Sequence, residues 1–187
     1  TNKANKFKVE GGGGFSYLNE FDEQTKGIFT ELAVRKISGN WQYGIEHSLQ
    51  DKNFNKNDLG FQRRNNFSNF ESYLSYQIFE PTEKFDSYNF SIWADLNYLH
   101  KPNTYTSNEI GMRYRFQTRK SKLTFGGVFE TSIGNQYDYY EPRVEDRYFK
   151  KTGRIAANQW ISTDYRKKFA VDLRGFYFKR YNDLNKT

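Results

Sequence analysis

The chain has 187 residues, 36% of them hydrophobic and 27% charged, and Lys+Arg 29 against Asp+Glu 22 gives a net charge of +7. No run of about 18 apolar residues occurs, which excludes a transmembrane helix. Cys 0 excludes disulfides and thiolate metal sites, and Pro 3 argues against a proline-rich linker. The mean hydropathy of −0.98 by itself suggests disorder, but Tyr 15, Phe 18 and Trp 3 make 19% of the chain aromatic, and disordered segments are poor in aromatics.

Thr1 to Lys6 is polar and basic, with neither an apolar stretch nor a small-residue cleavage site of the kind a leader needs. The sequence therefore reads as a mature form or as a piece of something longer. Gly11 to Gly14 lacks the following helix and Lys-Ser/Thr of a phosphate-cradling loop, so a curved strand is expected there.

Downstream, apolar and polar residues alternate. Ile28, Leu32 and Val34 oppose Glu31 and Arg35, although Phe29 and Ala33 blur the pattern. Trp41, Tyr43, Ile45 and Leu49 oppose Gln42, Glu46 and Ser48. Phe70, Leu74, Tyr76 and Ile78 oppose Glu71, Ser75 and Gln77. The clearest run is 88–98, with Tyr88, Phe90, Ile92, Ala94, Leu96 and Tyr98 on one parity and Asn89, Ser91, Trp93, Asp95 and Asn97 on the other. Ile110, Met112, Tyr114 and Phe116 alternate with Gly111, Arg113, Arg115 and Gln117. Leu123, Phe125, Gly127, Phe129 and Ile133 share a parity opposite Thr124, Glu130 and Ser132. From Phe169 to Tyr181 the pattern mixes, because Phe176 and Phe178 share the parity of Asp172 and Arg174. A period of two means strands with unlike faces. Turn signals at Ser38-Gly39-Asn40, Glu80-Pro81, Lys101-Pro102-Asn103, Arg119 to Lys122 and Arg166 to Lys168 separate the runs. The expectation is roughly nine or ten strands of about 9 to 14 residues in an up-and-down meander, with no crossover helices.

A soluble sandwich turns its apolar face inward, whereas a transmembrane barrel turns it to lipid and its polar face to the lumen. Soluble strands average about 5 to 6 residues and membrane strands need about 9 to 11, so the long runs favour a barrel. Tyr17, Trp41, Tyr88, Tyr98, Tyr105, Tyr137 and Tyr165 fall at strand ends, where amphipathic rings suit a membrane interface. The basic turn residues Lys84, Arg119, Lys120, Lys122, Arg166, Lys167 and Lys168 suit lipid head groups and lipopolysaccharide phosphates better than nucleic acid.

The segment Phe54-Asn55-Lys56-Asn57-Asp58-Leu59-Gly60-Phe61-Gln62-Arg63-Arg64-Asn65-Asn66 is distinctive. So are Tyr137-Asp138-Tyr139-Tyr140-Glu141-Pro142-Arg143 and Arg147-Tyr148-Phe149. With Lys36 to Trp41 upstream and Ser162 to Arg166 downstream, this order resembles the barrel part of an outer-membrane family of unknown function from Gram-negative bacteria. Members of that family carry an N-terminal domain like the family-nine carbohydrate-binding modules. The resemblance covers roughly residues 26 to 180 and implies an antiparallel up-and-down transmembrane β-barrel, of which residues 1–187 form an incomplete segment. It implies a bacterial outer-membrane location and no established reaction. The carbohydrate-binding-like domain and the earlier barrel strands are absent here, so no sugar-binding residue carries over.

Asn57, Asp58, Gly60 and Phe61 read as a structural turn, since Asn and Asp bond their own backbone and Gly permits positive φ. Asp51, Asn53, Asn55 and Asn57 have the spacing of a calcium loop, but Lys56 and Gln62 replace its obligatory Gly and Glu. Asp95, Arg113, Arg115 and Glu130 are expected as lumen charges. Glu141 and Arg143 belong to a polar stretch running to Lys151, expected as an extracellular loop or one folded into the lumen. His47 and His100 have no paired ligand spacing, and no nucleophile motif is present. Neither catalysis nor a cofactor is expected. The expected function is a channel or transport scaffold in the outer membrane, with glycans among the solutes considered. The alternatives are a structural or interaction subunit of an outer-membrane secretion or assembly complex, and a soluble carbohydrate-binding sandwich.

Overall fold

The computed structural model describes residues 6–20, 23–56, 64–144 and 146–181. Among them are nine strands: β1 (Phe7–Glu20), β2 (Glu23–Lys36), β3 (Trp41–Gln50), β4 (Phe67–Gln77), β5 (Phe85–Leu99), β6 (Tyr105–Thr118), β7 (Thr124–Asp138), β8 (Phe149–Ser162) and β9 (Asp172–Arg180). They form one antiparallel sheet in sequence order, so the up-and-down meander is as expected. The sheet is open: β1 and β9 are its edges and do not pair with each other. Strand lengths run from 9 to 15 residues, longer than usual for soluble sheets.

Left-handed residues make the tight turns. Gly39 has φ 80° between β2 and β3, Asn103 has φ 59° between β5 and β6, and Lys122 has φ 53° between β6 and β7. Gly and Asn reach this region at little cost, so the turns stay short and hold register.

Register sorts the side chains. One face carries, in direct cross-strand succession, Val9, Val34, Ile45, Ser72, Ala94, Ile110, Thr131 and Ile155. The opposite face carries the charges. The apolar face is also the more exposed. On β5, Phe90, Ile92 and Leu96 are 39%, 41% and 38% exposed, while Asn89, Ser91, Trp93, Asp95 and Asn97 between them are half-buried.

The polar face is covered partly by its own rings. Trp93 lies opposite Gly111 and Trp160 opposite Gly126. A Cβ on Gly111 would stand 2.0 Å from the Trp93 ring, so the indole lies flat on bare backbone there. The segment after β3 adds to this cover. Asp51 accepts the backbone N–H groups of Asn53, Phe54 and Ile28 at 2.8, 2.7 and 2.9 Å. That brace turns Phe54 onto Phe29, with ring centroids 5.9 Å apart, and against Gly14 and Gly27. Phe29 and Ala33 blurred the sequence pattern because both lie on the polar face, Phe29 against the Phe54 ring and Ala33 buried between Glu10 and Glu46. Gly14 is where the ring comes close, and β1–β2 pairing runs without a bulge through Gly11 to Gly14.

Aromatic rings form a continuous row along one end of the strands. Trp41–Tyr76, Tyr76–Tyr88, Tyr88–Phe116 and Phe116–Phe125 have centroids 4.8, 5.7, 5.8 and 5.3 Å apart. A second row runs along the other end through Phe70–Tyr98, Tyr98–Tyr105, Tyr105–Tyr137 and Tyr137–Tyr148, at 6.5, 6.0, 6.3 and 5.2 Å.

Gly27→Ala is expected to destabilise the full-length protein by about 1–3 kcal/mol, because the new methyl would stand 2.2 Å from the Phe54 backbone. The midpoint of urea unfolding measures it. An unchanged midpoint would mean that the Phe54 segment does not rest on β2.

Candidate functional site

Hairpin register brings together acids that lie far apart in the sequence. Glu46 faces Glu71, Glu71 faces Asp95 and Asp95 faces Glu109, one level of the polar face across β3 to β6. On the far side of β7, Ser132 faces Arg154 and Arg154 faces Arg180. Arg154 reaches back to Glu109 at 2.8 Å and lies 3.9 Å from Glu130. At the other flank Arg35 pairs with both Glu46 and Glu10, and Lys8 pairs with Glu10. Glu71 and Asp95, in the middle, have no cationic partner among the described residues.

Above this level opens a polar cavity of about 590 Å³, whose lining includes Asp95, Asn97, Glu109, Arg154, Arg180 and Tyr140. Amides and hydroxyls furnish much of it: Asn97 donates to the Ser107 hydroxyl at 3.1 Å, and Gln136 accepts the Asn108 backbone N–H at 2.8 Å. The loop after β7 folds over one side. Asp138 starts it by accepting the N–H groups of Tyr140 and Glu141, both at 3.1 Å, and by pairing with Lys151 at 2.8 Å. The Arg64 guanidinium then stacks 4.9 Å from the Tyr140 ring. Burial raises the Tyr140 phenol above its ordinary value, and Arg64 opposes that shift only in part.

The residues expected from sequence divide into groups. Asp95 lines the cavity, and Glu130 stands beside it through Arg154. Arg113 is on the same face, its guanidinium 5.6 Å from the Trp93 ring, and Arg115 follows two residues on without a partner among the described residues. Glu141 and Arg143 are exposed in the loop after β7, and Arg143 makes no ion pair among the described residues. Asn57, Asp58, Gly60 and Phe61 lie outside the described residues. Asp51, whose spacing alone resembles a calcium loop, holds backbone N–H groups with both oxygens. Among the described residues no group of three or more His, Asp or Glu side chains is close enough to hold a metal ion. Sequence reasoning missed Glu71, Glu109, Arg154 and Arg180 as site residues. The available signal was register: counting outward from each turn aligns them.

Residues 1–187 match the model of a family described as a domain of unknown function, DUF5916. The chain belongs to this family. No curated protein and no solved structure matches it.

Replacing Tyr140 by Phe is expected to remove one phenol that titrates above the ordinary value of about 10. Because the folded state holds that proton more tightly, the phenol's contribution to stability is complete below about pH 10 and is lost as pH rises through the raised value. Ultraviolet difference titration of wild type and Tyr140→Phe measures it. Loss of a phenol titrating at or below the ordinary value would contradict the buried placement.

Proposed function

We propose that the chain is a wall segment of an outer-membrane β-barrel that acts as a channel or transport scaffold, with the charged face towards a water-filled lumen and the apolar face towards lipid. The observation that carries this reading is the inverted exposure: Ile45 is 65% exposed and Leu32 55%, on the face opposite Arg35 and Glu46. Burying such a face in lipid removes its contact with water, whereas in solution it would remain a large exposed apolar surface.

Strand dimensions agree with the reading. Tyr88 and Tyr98 mark the two aromatic rows on β5. Ten residues at about 3.3 Å each span about 33 Å along the strand. At a tilt of about 35–45° this covers about 23–27 Å, close to the roughly 25 Å apolar band of outer-membrane barrels. Basic residues of the turns after β4, β6 and β8 lie at one end of the sheet, suited to head-group phosphates. Strand parity bears on closure. In a nine-stranded meander the first and last strands run the same way, so antiparallel closure needs further strands. Unpaired edges in hydrocarbon would cost several kcal/mol per backbone group, which favours a larger barrel.

Outer-membrane fractionation with heat-modifiable gel migration tests the location. Recovery as a freely soluble monomer would sink it. Ile92→Arg, at the middle of the apolar face of β5, is expected to cost about 2–4 kcal/mol of stability in a bilayer. Ser91→Arg, one residue away on the polar face, is expected to cost less than 1 kcal/mol, as a solvated substitution does. Equal effects of the two, measured by urea unfolding from liposomes, would contradict the assignment of faces.

A further inference from the structure

Internal pairing leaves the polar face unevenly charged at one level. Arg35 neutralises Glu46 and Arg154 neutralises Glu109. What remains is Glu71 and Asp95 on β4 and β5, and Arg180 on β9. Arg180 donates to the Thr152 carbonyl at 3.1 Å and lies 5.7 Å from the Phe178 ring, with no carboxylate partner among the described residues. Asp95 and Arg180 both line the 590 Å³ cavity. Four strand steps separate them, about 19 Å around the wall at about 4.8 Å per step.

Adjacent like charges are costly to hold together. At a spacing of about 5 Å two carboxylates repel by about 1 kcal/mol in water and about 3 kcal/mol at an effective dielectric of 20. Glu71 and Asp95 accept this repulsion directly across a strand pair, where an opposite charge would stabilise. The field of such an arrangement runs across the cavity, from the arginine side to the carboxylate side. A lone cation is drawn to one side and repelled by the other, and a lone anion likewise. A solute with a cationic and an anionic group gains at both ends by aligning.

We propose that this level is a charge filter that favours zwitterionic solutes over neutral solutes of equal size. The inference rests on the reading that the polar face lines a water-filled passage. Its residues are Asp95, in the cavity lining, and Glu71, directly across the β4–β5 pair from it, for the cationic group, and Arg180 for the anionic group, with Asn97 and Gln136 among the neutral donors and acceptors of the cavity.

The test uses the full-length protein reconstituted in liposomes, with triglycine and mannitol as probes of similar mass. Triglycine is expected to enter faster than mannitol by roughly tenfold, the lower end of what field focusing gives. In the isosteric double variant Glu71→Gln/Asp95→Asn, and separately in Arg180→Gln, the ratio is expected to fall to about one. In Arg180→Lys, which keeps the charge, it is expected to persist, and heat-modifiable migration checks that each variant is folded. Entry of both probes at equal rates in wild type would overturn the filter and leave the passage standing. A preference that survives both neutralising changes in folded protein would also overturn it. Exclusion of both probes would overturn passage and filter together.

Discussion

A one-residue slip in any ladder of this sheet would exchange the two faces of a strand, because side chains alternate with a period of two. The pairing of β2 with β3 and of β3 with β4 is unbroken, so Val34, Ile45 and Ser72 stay on one face while Arg35, Gly44 and Tyr73 stay on the other. Register shifts between Phe85 and Ser87, at the start of β5, and also between Asn97 and Tyr98 and between Ser132 and Asn135, towards the opposite end of the sheet. The cavity sits at that end. Bulges re-aim side chains without disturbing the central ladders, and the two at that end lie beside Asn97, Asn108 and Gln136, which furnish the cavity with amides.

Much of the sheet was legible because hydrophobic contrast was strong. On β5 every even residue from Tyr88 to Tyr98 is apolar or aromatic, and the structure puts all of them on one face. Two strands gave no such contrast. In β1, Gly11 to Gly14 have no side chains to show a pattern. In β8, Gln159 stands on the apolar face and Ala156 and Trp160 on the polar one, so alternation is diluted. Phe176 and Phe178 disturbed the pattern of β9 for a different reason. They do share the polar face with Asp172 and Arg174, and at the sheet edge they are 71% and 45% exposed.

The candidate site was harder to read than the fold. Glu71, Asp95 and Glu109 are distant in sequence, and their alignment depends on three hairpins keeping register at once. Asp95 was legible alone, as a charge on a polar parity. Its neighbours became meaningful only when the strands were placed side by side. Asp51 shows the opposite case: spacing suggested a ligand, while local backbone geometry claims its oxygens. The same brace seats Phe54, so one carboxylate links the loop after β3 to the cover over β1 and β2.

The polar and aromatic composition follows from this division of faces. Averaging a charged face with an apolar one lowers the mean hydropathy without removing the apolar surface. In the proposed barrel the apolar face meets lipid and the charged face meets water. Residues 1–187 contain Cys 0, so single cysteines introduced at positions 90 to 97 can be labelled individually across this span. Reaction with a membrane-impermeant maleimide, in native membranes of the full-length protein, reports the faces directly. Labelling is expected at 91, 93, 95 and 97 and protection at 90, 92, 94 and 96. Labelling of the even positions, alone or equally with the odd ones, would contradict it.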